Sequence, residues 1–563
     1  MPRWGTLAAI AIILSSVLFG LQERQSNAPL FTSGTNFVQV PVIVQKSGKH
    51  VSGLKKENFS LRQDGKEQAV ATFEEIHGGS QSAETEAPPA NQNAMAVAGI
   101  PSQLTIMAFD TVDTPTPDRT YFNQQFEKYL TKDSKLSGPI MLVAIERNGI
   151  RVLRDFTTDP KSLLTAFQKD APGQPSANNE VTQTTRQISD QIITEVQTQF
   201  GNGPDLSSMS RAMQYRQQDE AMTRFQDRSS RLDVQFAIQQ LAQSLKGLPG
   251  RKSLLLVGSG FKFIDSNIVL RSISGGDAGR DQTYSVDNVG ETLNQAAYTW
   301  KLLNDANVAV YPIDTRRTVN TAFEAMDPSG SNAPTNLTLD QSRQANRDVL
   351  DTFKTISAAT GGKACFNRTD LDNCVREAIE DDHDYYLLGF YADKNNQRPG
   401  WHRIDVKVDE KANVRYRQGF ILANFNSEAA RKTDVSLALS SPFDYTELPF
   451  TGRFDSFVDR GSKKLAKLRL EIPPDAITVD DSSGHIDFDV VGIARAQGGK
   501  EAARFVQRID RKFSPQNVAE IKRVGINYGN QLELAPGDYG VWFVVRDNLS
   551  GRTGSAVVSI KVP

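Results

Sequence analysis

Residues 104–110 read LTIMAFD, an apolar run that ends on a carboxylate. An apolar run without polar alternation is typical of a strand buried on both faces of a sheet. The pattern returns in IMLVAI at 140–145, SLLLV at 253–257 and VAVYPI at 308–313. Between these runs the apolar residues fall at helical spacing, as they do over residues 118–130. Together they predict an α/β fold whose mostly parallel sheet is covered by helices on both faces.

The same α/β region is expected to span residues 103–422. Its last strand is predicted at Tyr385–Tyr391, and the alternating residues 402–416 are predicted to form a terminal hairpin. Residues 171–230 interrupt the pattern with a segment rich in Gln, Ser and Asn. We interpret this segment as an insertion, formed either by a pair of polar helices or by disordered chain.

Two all-β units are predicted to flank this region. Residues 33–78 carry short strands separated by turn residues, and the linker 79–102 that follows is rich in Ser, Ala, Pro, Gln and Asn. Residues 433–563 are predicted to form an antiparallel β-sandwich, with a further flexible joint at 423–433. Its six strand candidates are Val435–Leu439, Leu465–Ile472, Ile486–Ala494, Phe505–Ile509, Tyr539–Asp547 and Ala556–Val562.

The N-terminal residues 1–28 have the pattern of an export signal. Arg3 supplies a positive charge, and Leu7–Gly20 is an apolar run of signal-peptide length. We therefore expect an extracytoplasmic protein, located in the periplasm, at the cell surface or in the medium. An uncleaved N-terminal membrane anchor is the alternative, and membrane contact is expected only in that case. In an exported chain the only two cysteines, Cys365 and Cys374, favour one disulfide over two free thiols.

Bulk charge and motifs argue against several function classes. The 64 basic and 66 acidic residues nearly balance, so no global field favours nucleic acid or anionic lipid. The sequence has no HExxH, no GxSxG and no glycine-rich phosphate loop with a following lysine. We therefore predict a non-catalytic protein that binds a protein or another macromolecule of the cell envelope. The alternative is an exported hydrolase with an unrecognised active site.

Short motifs follow the predicted strands in a characteristic order. They are Asp110, Asp155–Pro160 (DFTTDP), Val257–Phe261 (VGSGF), Val310–Asp314 (VYPID), Thr360–Gly362 (TGG) and Tyr385–Tyr391 (YYLLGFY). Before them, Val51–Leu54, Phe59, Leu61 and Asp64–Gly65 fit the pattern V-x-G-L-x-x-x-x-F-x-L-x-x-D-G. In this combination the chain resembles the von Willebrand factor A (VWFA)-related proteins described from acidobacteria. The resemblance covers residues 35–80 and 103–422.

The resemblance implies a Rossmann-like von Willebrand A domain that binds ligands at the carboxyl ends of its strands. Open α/β sheets in general bind ligands at this edge. We accordingly expect Thr157, Ser259 and Asp314 in loops on the ligand-binding face. In the C-terminal region, Leu534–Tyr539 resembles an edge turn of bacterial Ig-like modules, which suggests an Ig-like sandwich.

The resemblance also raises the question of a metal. Von Willebrand A domains often hold Mg²⁺ with an Asp-x-Ser-x-Ser loop, together with a Thr and an Asp from neighbouring loops. Here Asp110 matches and Thr114 can replace the second Ser, but Val112 supplies no oxygen, and Ser259 lies where an Asp is expected. Asp113 is the residue that could compensate; alternatively, Asp110 only caps the following turn. We therefore expect weak or absent metal binding and no cofactor, with Mg²⁺ as the one candidate.

Overall fold

A computed structural model describes most of the predicted α/β and β regions. It covers residues 37–78, 103–114, 116–132, 138–147, 149–170, 232–259, 286–316, 336–381, 383–392, 400–422 and 427–563, with single residues at 136 and 229. The predictions for residues 1–28, for the linker 79–102 and for the insertion 171–230 fall outside this part, apart from residue 229. The described residues form a mixed α/β protein with several sheets. None of the described helices combines the length and apolar character needed to span a bilayer.

Strands and helices are numbered in chain order. The strands are β1 (Phe37–Lys46), β2 (Lys49–His50), β3 (Phe59–Gln63), β4 (Lys66–Gln68), β5 (Thr72–His77), β6 (Gln103–Asp110), β7 (Ile140–Glu146), β8 (Gly149–Thr157), β9 (Arg251–Gly258), β10 (Val308–Asp314), β11 (Asp384–Tyr391), β12 (Gly400–Val408), β13 (Asn413–Tyr416), β14 (Gly419–Leu422), β15 (Thr451–Arg460), β16 (Lys463–Ile472), β17 (His485–Ala496), β18 (Glu501–Lys512), β19 (Ile526–Leu534), β20 (Gly537–Asp547) and β21 (Thr553–Val562). The helices are α1 (Thr116–Lys132), α2 (Pro160–Asp170), α3 (232–245), α4 (Val286–Asp305), α5 (Asn336–Thr360), α6 (Leu371–Glu380), α7 (Glu428–Ser440) and α8 (Pro515–Val524).

The central sheet has the strand order β10-β9-β6-β7-β8. Its first four strands in that order run parallel, and β8 runs antiparallel at the edge. The chain enters at β6, moves outward to β7 and β8, and then crosses back to β9 and β10. The strand order therefore reverses between β6 and β9. The carboxyl ends of these two neighbouring strands lie side by side, where open α/β sheets form a crevice.

Helices cover both faces of the central sheet. Successive side chains of β6 point to opposite faces, as in any strand. Ile106 belongs to an apolar core shared with α3, α4 and α5, whereas Met107 belongs to a second core shared with α1, α2 and α6. Both residues are fully buried. Burial on both faces explains why residues 104–109 are apolar without alternation.

The N-terminal strands pair with strands that occur much later in the chain. β1 pairs antiparallel with both β11 and β13, β5 pairs with β11, and β3 pairs with β12. Residues 37–77 and 384–422 thus share their sheets and one apolar core that includes Val40 and Tyr386. We expected Tyr385–Tyr391 to belong to the parallel sheet, and this prediction is wrong. The apolar run reports burial on two faces, but it does not identify the partner strand.

This β unit contacts the amino edge of the central sheet. The backbone N–H of Arg251, the first residue of β9, donates to the Tyr385 hydroxyl at 3.2 Å. Asn307, which directly precedes β10, donates from its side chain to Gln39 at 2.8 Å. The β unit therefore lies at the edge opposite to the one where β6 and β9 end.

The C-terminal residues form two antiparallel sheets, β15-β16-β19 and β18-β17-β20-β21, which enclose one apolar core. The prediction of a strand at Val435–Leu439 is wrong, because these residues belong to α7. Their alternating apolar residues imitate a strand, but Ser427 caps the helix by accepting from the Ala430 N–H. Leu437 is fully buried in the core of the central sheet, so α7 joins the two regions.

We expect a protease site inserted within residues 79–102 to be cut without releasing the N-terminal strands. β1 is an interior strand with partners on both sides, so its removal would break two strand ladders and expose Val40 and its neighbours. Size-exclusion chromatography should therefore show one species after cleavage, and denaturing electrophoresis should show two fragments. Native separation of residues 37–78 from the remainder would contradict the pairing.

Candidate functional site

Four of the predicted site residues meet at the carboxyl edge of the central sheet. Asp110 ends β6, Ser259 follows β9 and Asp314 ends β10, where it pairs in register with Gly258. Thr114 lies in the loop after β6. A Cβ added to Gly258 would lie 3.0 Å from both the Asp110 Cβ and the Thr114 Oγ1, so a larger residue here would require these neighbours to shift by a few tenths of an ångström. The ends of β6 and β9 are therefore in close contact.

The Asp110 carboxylate is enclosed by its own loop. Its Oδ1 accepts from the backbone N–H groups of Val112 at 2.9 Å and Asp113 at 3.1 Å. Its Oδ2 accepts from the Thr114 hydroxyl at 3.4 Å, and the Thr114 Oγ1 accepts from the Ser259 N–H at 3.3 Å. Asp110 is 1% exposed. The carboxylate thus fixes the turn, as in the capping interpretation, and through Thr114 it also links the ends of β6 and β9.

Burial dominates the electrostatics of Asp110. Burial raises the pKa of this carboxyl to about 6. The hydrogen bonds from Asp113, Val112 and Thr114 and the positive charge of Arg119 lower the pKa, but their effect is smaller. Arg119 belongs to α1 and is also buried. Burial lowers its pKa, and the charge of Asp110 opposes that change. The site therefore holds a buried pair of opposite charges.

A second arginine neutralises the other carboxylate at this edge. Asp314 is buried, and the Arg316 guanidinium donates to both of its oxygens, from Nε at 2.9 Å and from Nη2 at 2.8 Å. The Arg316 backbone N–H also donates to Asp314 Oδ1 at 3.0 Å. Such a two-point contact holds the carboxylate in a fixed orientation. Asp314 is consequently engaged within its own loop.

These residues do not fit an Mg²⁺ site. Mg²⁺ requires oxygen ligands in near-octahedral geometry. The Val112 side chain is buried in the apolar core, Asp113 approaches Asp110 through its backbone N–H, and the Asp110 oxygens already accept hydrogen bonds. The charge of Arg119 further disfavours a cation. Within the described part of the chain, no group of three or more His, Cys, Asp or Glu residues is arranged to hold a metal.

The prediction for Thr157 is wrong. Thr157 pairs with Ile140, the first residue of β7, whereas Asp110 pairs with Ile145 near the end of that strand. Because β8 runs antiparallel, its last residue lies at the amino edge of the sheet. Thr157 is therefore separated from Asp110 by the length of β7.

Cys365 and Cys374 form a disulfide beside this edge, with their Cα atoms 6.2 Å apart. Cys365 lies next to β10, since it forms a parallel bridge with Ile313 and its carbonyl accepts from the Asp314 N–H at 2.8 Å. Cys374 belongs to α6. The disulfide thus ties α6 to the backbone that positions Asp314.

Sequence reasoning identified the carboxylates of this site but missed both arginines. Arg316 follows Asp314 by two residues, and this spacing was an available signal. Arg119 lies on a helix after the Asp110 loop, and only the folded chain shows the two together. Searches for relatives add no further assignment: no protein-family model and no curated protein sequence matches this chain.

Proposed function

We propose that this chain is an exported, non-catalytic interaction protein built around a Rossmann-like von Willebrand A-type domain. Its partner is a protein or another macromolecule of the cell envelope. The observation that carries this proposal is the meeting of Asp110, Thr114, Ser259 and Asp314 at the point where the strand order reverses. Open α/β sheets bind their ligands at this point.

The chemistry of the edge favours binding over catalysis. A general acid or base needs a titratable group within reach of the substrate. Asp110 is buried beneath hydrogen bonds from its own loop, and Asp314 is held by Arg316. Arg119 and Arg316 compensate the negative charges of Asp110 and Asp314, which a bound metal would otherwise compensate. We therefore propose that partner binding at this edge needs no bridging Mg²⁺.

The remaining parts of the proposal concern location and the C-terminal unit. The apolar run Leu7–Gly20 supports export, and the Cys365–Cys374 disulfide supports an oxidising compartment. Two antiparallel sheets around one core support an Ig-like sandwich at the C-terminus.

The proposal is tested by site-specific photo-crosslinking in the native host. A crosslinking amino acid placed at Asp113, which is half-buried at the carboxyl edge, should capture a macromolecular partner identified by mass spectrometry. The same group placed at Thr157, half-buried at the opposite edge, is the matched control and should not capture it. The capture should persist in a metal chelator.

Two outcomes would contradict this proposal. Equal capture from Asp113 and Thr157 would mean that the carboxyl edge is not the binding surface. Capture that is lost in chelator and restored by Mg²⁺, together with Mg²⁺ binding in calorimetry that Asp110→Ala abolishes, would mean that binding depends on metal.

A further inference from the structure

A small cavity lies where the β unit contacts the amino edge of the central sheet. Its volume is about 10 Å³, which corresponds to about one water-sized sphere. From the β unit, Pro41 of β1 and Arg417 between β13 and β14 line the cavity. From the central region, Asn304 of α4 and Val308 of β10 line it. The cavity therefore lies at the joint between the two regions, at the edge of the sheet opposite to the candidate site.

Two hydrogen-bond donors at this cavity find no acceptor among the described residues. They are the Arg417 Nε and the Asn304 Nδ2, and both nitrogens are buried. The two residues are adjacent, because the Arg417 Nη1 donates to the Asn304 backbone carbonyl at 3.2 Å. Arg417 is 6% exposed and Asn304 is 7% exposed. A buried donor without an acceptor is unfavourable, so the two nitrogens favour a ligand that accepts hydrogen bonds.

The charge of Arg417 favours an anion as this ligand. Burial lowers the pKa of Arg417 to about 10, so its guanidinium is still charged at neutral pH. Within the described ranges Arg417 forms no ion pair. Asp305 acts on it through its charge, but Asp305 contacts Lys301, and its Oδ2 lies 4.0 Å from the Lys246 Nζ. Buried charges are rarely left without a partner of opposite sign. An anion in the cavity supplies this partner, whereas a water molecule does not.

Arg251 brings a second guanidinium group to the cavity. Its Nη2 donates to the Tyr311 hydroxyl at 2.8 Å and to the Gly361 carbonyl at 3.1 Å, so two neutral acceptors hold the side chain in place. Its Nη1 donates to the backbone carbonyl of Asp381 at 3.4 Å. The Asp381 carboxylate is bound by Arg415, at 2.5 Å from Nη1 to Oδ2. Two positive groups thus line the cavity, while the carboxylates at this joint contact other cations.

We propose that this cavity binds a single halide ion, with chloride as its ligand. The Arg417 Nε and the Asn304 Nδ2 donate hydrogen bonds to the ion, which compensates the charge of the guanidinium. The small volume excludes sulfate, phosphate and other polyatomic anions. A chloride ion is somewhat larger than a water molecule, so the lining side chains move apart slightly to admit it. The ion links the β unit to α4, and this role does not depend on the function proposed for the carboxyl edge.

Crystals of the full chain grown in sodium bromide test this assignment directly. Bromide replaces chloride at such sites and is identified by its anomalous scattering. We expect one anomalous peak within hydrogen-bonding distance of the Arg417 Nε and the Asn304 Nδ2. Density without anomalous signal at this position would mean a water molecule, and this result, like the absence of any density, would overturn the proposal. The experiment uses the unaltered chain, so it does not depend on the folding of a variant.

Urea unfolding at constant ionic strength tests the same site in solution. Sodium chloride is exchanged against sodium gluconate, whose anion is too large for the cavity. Above the Kd of the site, each tenfold increase in chloride should raise the ratio of folded to unfolded chain by about tenfold. A ratio that does not change with chloride would contradict the proposal.

Asn304→Asp places a carboxylate beside Arg417 and should abolish this dependence on chloride, because the carboxylate replaces the ion. Asn530→Asp is the matched control, since Asn530 is half-buried on β19 of the C-terminal sandwich. The control variant should keep the chloride dependence of the wild type. A dependence that persists unchanged in Asn304→Asp, or one that both variants lose equally, would show that the ion does not bind at this cavity.

Discussion

Replacing Asp434 with alanine is expected to lower the free energy of unfolding by about 3–5 kcal/mol, the loss typical of one partner removed from a buried ion pair. Asp434 lies on α7 and is 5% exposed, and its Oδ2 accepts from Arg546 Nε at 2.7 Å. Arg546 lies on β20 and is 1% exposed. Asp434→Ala leaves the charge of Arg546 buried. Among the described residues, the remaining side-chain hydrogen bond of Arg546 runs from Nη1 to the neutral Asn548 side-chain oxygen.

The same carboxylate also joins the C-terminal region to the central one. Its Oδ1 accepts from the Gln243 side chain of α3 at 3.1 Å and from the Tyr298 hydroxyl of α4. Burial and the charge of Asp434 raise the pKa of Tyr298, so the phenol keeps its proton and donates it to this bond. Asp434→Ala therefore removes contacts to two helices of the central region as well. We expect faster hydrogen exchange in α3 and α4, in addition to the loss of stability.

Urea unfolding followed by tryptophan fluorescence measures this effect, since Trp542 lies on the same strand as Arg546. The control is Asp459→Ala, because Asp459 is 82% exposed and pairs with Lys464 at 3.0 Å. An exposed pair of this kind contributes less than about 1 kcal/mol. Equal losses for the two variants would mean that the Asp434 cluster does not hold the two regions together.

The central strands could be predicted because their signal is local. A strand buried on both faces needs mainly apolar residues on both of them, and this requirement is visible in residues 104–109 and 253–257, where only Thr105 and Ser253 are polar. Pairing is not local. β11 has the same apolar character, but it pairs with β1, which lies more than 300 residues earlier in the chain. For that reason the predicted boundaries, 33–78 and 103–422, place β1 and β11 in two different units.

The candidate site likewise contains residues that the sequence could predict and residues that it could not. Asp110, Ser259 and Asp314 were predicted because they follow apolar runs, and parallel strands bring such ends together. Thr157 follows a predicted strand as well, but the direction of β8 depends on its pairing with β7. The residues that neutralise the carboxylates, Arg119 and Arg316, carried no pattern that sequence reasoning used. Whether a carboxylate can bind a metal is therefore decided by neighbours that the motif does not contain.

Asp110→Asn is expected to gain stability relative to the wild type as the pH rises from about 4 to about 6, by about 3 kcal/mol in total. Burial raises the pKa of Asp110 from 3.8 to about 6 in the folded chain. The folded state thus binds this proton more tightly than the unfolded state does. The resulting stabilisation is complete below pH 3.8 and is lost as the pH rises through about 6. Asparagine does not titrate, so the variant lacks this loss.

Arg119 loses its partner in the variant at every pH, which adds a constant difference in stability. Only the change of that difference with pH therefore reports the titration of Asp110. Urea unfolding of both proteins at intervals between about pH 4 and about pH 8 gives the difference in the free energy of unfolding. Asp159→Asn is a control of opposite sign. The backbone N–H groups of Lys161 and Ser162 bind the Asp159 carboxylate, and the Lys161 bond is the main cause that lowers its pKa. Asp159→Asn should therefore lose stability relative to the wild type as the pH rises towards 3.8, and the series for this control accordingly extends down to about pH 2. If Asp110→Asn shows the same sign as Asp159→Asn, Asp110 is not the desolvated carboxyl that the geometry of this edge requires.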